Sequence, residues 1–448
     1  MTDGTGVAAG GPPREVHDPP DAPVPSRLPL WRTGRFVRAW GAQGVSELGD
    51  RVSELALPLV AVTFLDASAT EVALLTAVVW LPNVLALLVG SWVDRQHRKR
   101  RLLVLADVVR AAVVVTVPVA ALLGVLGLAH LFAVAVLLGA WSTFFRSAWN
   151  PFFVALVHRS QYVEATSLFS ATRSGSFVAG PAVGGGLVQL LTAPVALLVD
   201  GLSFLASALL LRTVDVTEPA PDPDDGTSLR RRLAEGVGFL LRDPYLAPLL
   251  RCVTWVNFFT MVVFSLTVVF ASRDLGLPAG TIGLAMGVGA VGGLVGAAVT
   301  SRTITRLGVG RTLAVGALLF TAPLAAMPLA QGGQLGKAVV LGAVECVSAF
   351  GVMLFDIPAN AVKTVVIPDA VRARVSGAFT TVNYGVRPLG AASGGLLAGL
   401  VGTGPAIVVG GLGGVLCLVW IVRSPVLRLR TIEDLPVPAA PPRRLRRP

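Results

Sequence analysis

Charged side chains are scarce in this chain. Only 14% of its 448 residues are Asp, Glu, Lys or Arg, whereas 54% are hydrophobic, and the mean hydropathy is +0.73. A soluble globular domain carries about 25% charged residues, so this composition excludes an ordinary soluble enzyme. The sequence therefore predicts an all-α membrane protein.

Cysteine and histidine are also rare. The three cysteines, Cys252, Cys346 and Cys417, lie in different apolar segments, which indicates packing residues rather than a disulfide framework or a metal site. The four histidines lie in tails, loops or segment ends, and the motifs H-E-x-x-H and G-x-S-x-G are absent. These absences argue against an enzyme, and we expect neither a metal nor another cofactor.

Long apolar segments dominate the sequence. Each is close to the ~20 residues that cross a bilayer as a helix. We predict twelve transmembrane helices, called spans 1 to 12, at about 37–64, 71–93, 102–126, 129–150, 164–191, 194–212, 246–271, 278–300, 312–330, 337–362, 376–401 and 404–422.

The distribution of cations predicts the orientation. Of the 37 lysines and arginines, 28 lie in the tails and in the loops that follow even-numbered spans, whereas the opposite loops hold Arg273 and Lys337. Cytoplasmic loops carry an excess of such residues, so both termini are predicted to be cytoplasmic. The strong preference for Arg over Lys is typical of a GC-rich bacterial genome, which places the chain in a bacterial cell membrane. The net charge of +11 is spread over short loops, so we do not expect nucleic acid as a partner.

Polar stretches divide the chain into five regions. Residues 1–35 are rich in Pro, Gly and Asp and predict a disordered cytoplasmic tail. Two six-helix bundles, 36–212 and 246–423, flank a cytoplasmic loop at 213–245, and a basic Pro-rich cytoplasmic tail follows at 424–448. The second part of the loop has an apolar stripe and a basic face. It predicts an amphipathic helix that lies on the anionic inner leaflet.

An internal repeat relates the two bundles. A shift of 210 residues aligns Arg101 with Arg311 and brings four glycines of span 5 onto four of span 11. The aligned glycines are Gly175, Gly180, Gly184 and Gly185 with Gly385, Gly390, Gly394 and Gly395. Two parallel six-helix repeats are what a transporter needs if similar halves move around a site at the membrane midplane.

The loop between spans 2 and 3 carries a basic motif. It resembles the G-x-x-x-D-[RK]-x-G-[RK]-[RK] loop of the major facilitator superfamily, except that His97 replaces the inner glycine. The matching positions are Gly90, Asp94, Arg95, Arg98 and Lys99. We expect Gly90 to let a neighbouring helix approach closely, and Asp94 to cap a helix N-terminus or pair with an arginine. The loop would then gate the switch between two states; the alternative is a basic loop that only sets topology.

Span 5 ends in a second motif, Gly180-Pro-Ala-Val-Gly-Gly185. It resembles the G-P-x-x-G-G half of a motif that accompanies antiport, and hence export, in the same superfamily. The matching residues are Gly180, Pro181, Gly184 and Gly185. Pro181 removes a backbone donor and the glycines expose the helix backbone, so we expect a bendable, closely packed helix. Ser167 and Ser176 stand where the full motif has glycines, and an ordinary Gly-rich packing face is the alternative.

Further stretches resemble one branch of that superfamily, which contains bacterial macrolide-efflux and siderophore-export proteins. They are Trp40–Asp50, Ala56–Pro58, Val199–Asp200, Ser203–Phe204, Glu235–Gly236 and Ile367–Ser376. The resemblance covers essentially all of residues 36–423. It implies a transporter that works by alternating access. One feature departs from it, because Arg146 lies near the cytoplasmic end of span 4 and not where many proton antiporters carry an R-x-x-x-G arginine.

Ionisable side chains inside the spans are costly to bury, so each is a candidate site residue. Span 1 carries a polar face made of Gln43, Glu47, Asp50 and Glu54. Asp50 lies near the middle of the span, where desolvation favours a protonated carboxyl, and we predict that it carries a proton. The alternative is a structural ion pair with one of three arginines: Arg51, Arg173 and Arg387.

The other candidates in the proton-coupling and substrate site lie on spans 5, 10 and 11. They are Arg173, Glu345, Asp356, Asn383 and Arg387. The two arginines would bind an anionic or carbonyl-bearing substrate, or else neutralise nearby acids. We expect Asp107 and Arg110 of span 3 to belong with the gating loop.

The sequence as a whole predicts a secondary active transporter. Its most direct interpretation is proton-coupled antiport that exports an amphipathic drug or natural product. A siderophore exporter and a lipid or metabolite transporter of the same fold are alternatives, as is a non-transporting scaffold or receptor. Expected partners are a small-molecule substrate, protons and the lipid bilayer, with the chain acting as a monomer.

Overall fold

The computed structural model describes most of the chain, and its secondary structure there is helical. The described residues are 29–216, 218, 229–368 and 371–435. Most of the two predicted tails and the acidic part of the central loop lie outside them.

The described residues of the first half form seven α-helices. They are α1 (Gly34–Phe64), α2 (Ala69–Trp80), α3 (Ala86–Asp94), α4 (Lys99–Leu122), α5 (Leu128–Leu156), α6 (Tyr162–Leu191) and α7 (Ala193–Arg212). Ser68 and Glu71 form a capping box that fixes the start of α2. A 3₁₀ turn, Leu81–Leu85, joins α2 to α3 because Pro82 cannot donate to the α-helical ladder.

In the second half, nine α-helices lie within the described ranges. They are α8 (Leu229–Arg242), α9 (Leu246–Val269), α10 (Ala279–Leu307), α11 (Val309–Thr321), α12 (Gln334–Val366), α13 (Arg372–Gly385), α14 (Arg387–Val401), α15 (Thr403–Val415) and α16 (Leu418–Val422). A π turn, Phe270–Asp274, extends α9, and a 3₁₀ segment, Ala322–Leu329, extends α11. Pro388 lacks the N–H that would continue α13, so predicted span 11 is divided into α13 and α14.

Ten of the described helical segments are long and apolar enough to cross a membrane. Two predicted spans are not among them. The helix of span 1, α1, carries acids and an arginine in its middle, and span 11 is divided into two shorter helices. The described residues therefore define a multi-pass membrane protein, and the count of twelve spans stays a prediction.

The helices pack as two bundles that meet along two seams. In the first bundle α1 packs against α6 and α7, and α4 packs against α5 and α7; in the second, α12 packs against α10 and α11, and α14 against α9. The bundles meet where α6 contacts α10 and α2 contacts α14. One face of α10 packs its glycines against these neighbours, while the other exposes a row of large apolar side chains, as a lipid-facing surface requires. This row is Leu284, Val288, Val291 and Val295.

The glycine contacts follow the internal repeat. A Cβ on Gly184 would lie 3.1 Å from the Cα of Val52, and a Cβ on its repeat equivalent, Gly394, would lie 3.0 Å from the Cα of Val262. The neighbouring glycines cross the seams at matching positions: Gly185 meets Gly283, and Gly395 meets Ala73. The two bundles thus share one internal packing pattern.

The N-terminus of α4 is capped from the segment that follows α7. The carboxylate of Glu218 accepts hydrogen bonds from the backbone N–H groups of Lys99 and Arg100, the second at 2.9 Å. These N–H groups have no partner inside the helix, and their dipoles favour a negative charge. The guanidinium of Arg100 donates to the carbonyl of Val214 and adds a second tie.

The second bundle caps α11 in the equivalent place with main chain alone. Val309 N–H donates to the carbonyl of Arg430 at 3.2 Å, and Gly310 N–H donates to the carbonyl of Leu429 at 3.0 Å. The internal repeat aligns these two donors with the capped donors of α4. Each bundle therefore ties the start of its third predicted span to the chain that leaves its last one.

The predicted amphipathic helix is present as α8, and part of its apolar stripe packs on the second bundle. Leu240 is fully buried beside α9, and Leu233 and Val237 pack against the same core. Gly236 lies against the backbone of Arg374 in α13, and Glu235 pairs with the Arg374 side chain at 3.2 Å. The second bundle therefore covers part of the stripe, whereas Leu241 is 48% exposed, and the position on the inner leaflet stays a prediction.

Candidate transport site

The predicted polar face of α1 gathers around Arg51. Nη1 of Arg51 lies 2.8 Å from Glu54 Oε2, and Nη2 of Arg51 lies 3.8 Å from Glu47 Oε1. These contacts form because residues three and four positions apart share one helix surface. Gln43 Nε2 donates to Glu47 at 3.4 Å. Arg173 of α6, 74% exposed, approaches the same carboxylate at 3.7 Å. Five polar side chains from two helices thus form one network.

Asp50 has a different partner from those predicted. Its Oδ1 lies 3.6 Å from Nη1 of Arg110 on α4. The two side chains differ in access, because Asp50 is 48% exposed and Arg110 only 1%. The expected pairing with Arg51, Arg173 or Arg387 is therefore corrected to Arg110. The sequence could not show this contact, because it depends on how α1 and α4 are rotated toward each other.

Arg110 is a buried cation of the first bundle with contacts on several helices. It pairs with buried Asp107 and donates to Ser46 Oγ at 3.4 Å. Its guanidinium lies 4.5 Å from the ring centre of Phe145 and 4.1 Å from that of Phe204, close enough for cation–π attraction. Four helices thus enclose this charge.

Asp107 completes the buried pair. Ser207 of α7 donates to its Oδ2 at 2.6 Å, while Arg110 occupies its Oδ1. In the described part of the chain, the contacts of Asp107 and Arg110 run to α1, α5 and α7. The predicted grouping with the gating loop is corrected to these three helices. A buried carboxylate with a paired cation and a hydroxyl donor is well satisfied.

Sequence reasoning missed Asp200 of α7 as a site residue. It is fully buried, and its carboxyl accepts hydrogen bonds from Ser53 of α1 and, at 3.1 Å, from Ser203. A signal was present, because Asp200, Ser203 and Ser207 follow the i, i+3, i+7 spacing of one helix face. That polar face turns toward α1 and α4.

Arg146 of α5 was also missed. Its Nη2 donates to Asn83 Oδ1 at 2.6 Å, and Asn83 donates in turn to the carbonyl of Trp80 at 3.1 Å. The 3₁₀ turn between α2 and α3 positions Asn83 for this contact. The cation is exposed and links α5 to the aromatic residues at the seam between the bundles.

Arg387 is held at that seam. Its Nε donates to Asn257 Oδ1 of α9 at 2.9 Å. The guanidinium lies 4.2 Å from the ring centre of Tyr384 and 4.7 Å from that of Trp80, and these two rings are stacked. Trp80 belongs to the first half and the other residues to the second. Nearby Asn383 has a buried Oδ1 without a hydrogen-bond partner among the described residues.

The predicted acids of α12 lie apart from the acids of α1. Glu345 packs its Cβ against Gly289 in the contact between α10 and α12, and no ion pair to it occurs within the described part of the chain. Asp356 is exposed farther along α12. Asn360 accepts a hydrogen bond from Lys363 at 2.8 Å. The structure places no described ion pair between these acids and the cluster around Asp50.

The gating loop differs from expectation in two ways. A Cβ on Gly90 would meet no atom within 4 Å, so no helix approaches closely there. Asp94 is the last residue of α3, and Glu218 rather than Asp94 caps α4. Lys99 is buried and donates to the carbonyl of Gln96 at 2.9 Å. Pairing of Asp94 with an arginine stays a prediction, as do the roles of Arg95 and Arg98.

The glycine-proline stretch of α6 packs closely on two sides. Gly180 lies against the side chain of Arg51, and Gly184 lies against Val52, both on α1. Gly185 and the carbonyl of Pro181 lie against Gly283 of α10. The expected close packing is present, and the link to antiport stays a prediction.

Direct contacts close the end of the molecule opposite to the gating loop. Arg273 pairs with Asp66 at 2.6 Å, which joins the loop after α9 to the loop after α1. Thr70 donates to the carbonyl of Gly395 at 2.8 Å. Each of these contacts crosses from one bundle to the other. Gln189 and Gly280 form a third crossing at 3.0 Å.

Buried charges inside a helix bundle, and two repeated bundles that meet along seams, are features of a membrane transporter. A family model described as the Major Facilitator Superfamily matches residues 39–391 and 252–447. The chain belongs to the major facilitator superfamily and is a multi-pass membrane transporter. Membership in the macrolide-efflux and siderophore-export branch stays a prediction.

Two relatives come from Bacillus subtilis (strain 168). The chain is 27% identical to the uncharacterized MFS-type transporter YfiS over 395 residues, which cover 86% of this chain and 91% of YfiS. It is 24% identical to the uncharacterized MFS-type transporter YkuC over 232 residues, covering 50% of this chain and 53% of YkuC. Both names describe a transporter and give no substrate.

Solved structures share the fold. The nucleoside transporter NupG aligns with a TM-score of 0.69 and 12% identity, covering 86% of this chain and 98% of NupG. A bacterial homologue of the iron transporter ferroportin aligns with a TM-score of 0.68 and 17% identity, covering 86% and 97%. At such identities the likeness concerns the fold and not the substrate.

Proposed function

We propose that this chain is a proton-coupled antiporter that exports an amphipathic organic molecule by alternating access. One observation carries the proposal: a half-exposed carboxyl, Asp50, lies 3.6 Å from the buried guanidinium of Arg110. The separation is longer than a well-formed charge-assisted hydrogen bond of about 2.7–2.9 Å. Asp50 can therefore exchange a proton with water while its partner stays fixed.

The role of Arg110 follows from its contacts. Asp107, Phe145 and Phe204 hold the guanidinium in place, so protonation of Asp50 weakens one link between α1 and α4 without releasing the cation. A substrate that binds beside α1 would shift the same conformational equilibrium as the proton, so that binding of one disfavours binding of the other. Such competition between two ligands is what couples their movement in opposite directions.

The proposed substrate class follows from the side chains at the seam. Trp80 and Tyr384 offer an aromatic surface, and Arg387 and Arg173 offer hydrogen-bond donors. A mostly apolar wall with a few polar groups suits an amphipathic molecule that carries carbonyl or anionic groups. Export as the direction is supported by the resemblance of Gly180–Gly185 to the antiporter motif.

Topology and assembly form part of the same proposal. Twelve spans, with α1 and the α13–α14 pair added to the ten apolar segments, would put both termini on one side of the membrane. The distribution of lysine and arginine supports the cytoplasmic side of a bacterial cell. The boundaries 36–212 and 246–423 then enclose two bundles that move against each other. The chain acts as a monomer, because both sides of each seam between the bundles come from the same chain.

The test uses purified protein in liposomes with an internal pH-sensitive dye. A panel of amphipathic compounds, a siderophore and a lysolipid is applied across a proton gradient. We expect one class of compound to drive proton movement, and Asp50→Asn to abolish that movement while the protein still inserts. Glu433→Gln, which changes an exposed acid outside the bundles, is the matched control. Substrate flux that is equal with and without the gradient in the unmodified protein would overturn the proposal.

A further inference from the structure

Asp200 is an unusual buried acid in the first bundle. Its side chain has no exposed surface, and two serine hydroxyls contact its carboxyl: Ser53 from α1 and Ser203 from its own helix. Among the residues that the structure describes, no Arg, Lys or His lies within ion-pair distance of it. The neighbouring buried acid, Asp107, has Arg110 as a direct partner.

The charged groups around Asp200 do not replace a partner. From α4, Arg110 acts on it from beyond contact distance and is already paired with Asp107 and Asp50. From α1, Asp50 is a like charge and disfavours a second negative group. The side of Asp200 that faces α1 packs against Gly49, where an added Cβ would overlap both Asp200 and Ser203.

Burial without a cation is costly for a carboxylate and far less costly for a neutral carboxylic acid that is hydrogen-bonded to hydroxyls. We infer that Asp200 binds a proton in this conformation and is a second proton-binding residue of the transporter. Ser53 is the exchange route, because its hydroxyl is half-buried and lies one turn along α1 from Asp50. A shift of α1 against α7 would expose Asp200 or move Arg110 toward it, and either change favours proton release.

Protonation of Asp200 can be tested without transport. Infrared spectroscopy of the purified protein near neutral pH detects the carbonyl stretch of a protonated carboxylic acid. We expect this band in the unmodified protein and in Glu54→Gln, and its loss in Asp200→Asn. Ser53→Ala should keep the band but shift it, since one hydrogen bond is lost. An unmodified protein whose band is unchanged by Asp200→Asn would overturn the inference.

The role of that proton in transport rests on the proposed antiport. In liposomes, Asp200→Asn should lower the number of protons moved per substrate by about half, while substrate affinity stays within a few-fold. Full coupling in Asp200→Asn would overturn this role even if the infrared band is present. If Asp50→Asn keeps full coupling but the Asp200 band is found, the proposed role of Asp50 fails and Asp200 stands as the proton site. A requirement for Na⁺ in place of a proton gradient would contradict both.

Discussion

Arg110 and Asp50 face each other across the contact between α1 and α4, yet only Asp50 is open to exchange. The cation is enclosed by Asp107, Phe145 and Phe204, so its position is fixed by the bundle and not by the acid that it meets. An acid can then gain or lose a proton beside a permanent positive charge. The following predictions test the packing and the charges that maintain this arrangement.

Removal of the enclosed cation should destabilise the first bundle. Arg110→Met leaves Asp107 buried without its partner, and breaking a buried pair in this way costs about 3–5 kcal/mol. Thermal unfolding of the detergent-solubilised protein should show a clear decrease in Tm. Arg212→Met, which removes an exposed cation at the end of α7, is the matched control and should change Tm little. The double variant Arg110→Met with Asp107→Leu should recover much of the loss; no recovery would argue that packing and not charge explains the single variant.

A larger side chain at Gly184 should separate two helices. The Cβ would lie 3.1 Å from the Cα of Val52, so Gly184→Leu must push α6 away from α1 and should lock one state or open a leak. Overpacking of this kind typically costs about 1–3 kcal/mol. Flux and leak measurements in liposomes would detect either result. Gly184→Ala should be milder, and Gly186→Leu, at a glycine with open space beside it, should behave as the unmodified protein. Equal behaviour of the two leucine variants would contradict the close-packing argument.

The gating loop should control turnover and not affinity. Asp94 lies at the end of α3, far along the chain from the polar face of α1, so Asp94→Ala should lower the transport rate several-fold and leave the substrate Kd within a few-fold. Rates come from liposome flux and Kd from binding to the detergent-solubilised protein. A large change in Kd at an unchanged rate would place Asp94 in the binding site instead.

Loss of the side chain that caps α4 should lower Tm more than loss of a side chain at the cap of α11. Glu218→Ala removes the acceptor for two backbone N–H groups, and loss of a helix cap costs about 0.5–2 kcal/mol. Arg430→Ala keeps the main-chain carbonyl that caps α11, so it should leave Tm unchanged. Comparison of the two melting curves checks the difference. An equal decrease in both variants would mean that the arginine side chain also stabilises its end.

Much of the fold could be predicted from the sequence, because membrane helices follow from long apolar segments and the repeat follows from spaced glycines. In the structure the repeat extends from positions to contacts, since Gly184 and Gly394 meet equivalent partners. On α1, Glu47 and Glu54 lie on one surface as their spacing predicts, but both approach Arg51, while Asp50 turns to Arg110 of α4. The features that agree with prediction depend on residues close together in the sequence, so the sequence alone can predict them.

The partners of the buried charges could not be predicted. Asp50 and Arg110 lie on different helices, and their contact depends on the rotation of two helices whose sequences fix only which face is polar. Glu218 came to cap α4 from a distant part of the chain for the same reason. The sequence shows that Asp200 is polar, but it does not show that Asp200 lacks a cationic partner. That depends on how α1, α4 and α7 pack together.

The two caps differ in how they respond to mutation. In the first bundle the tie depends on a single carboxylate, Glu218, so one codon change can delete it. In the second bundle it depends on carbonyl groups that every amino acid possesses, and no side-chain replacement at Leu429 or Arg430 removes them. Of the two repeated halves, one therefore has a cap that a side-chain replacement can remove and the other has a cap that it cannot. Among relatives of this transporter, we expect the first half to vary in how firmly its third span is held, while the second half serves as the fixed reference against which it moves.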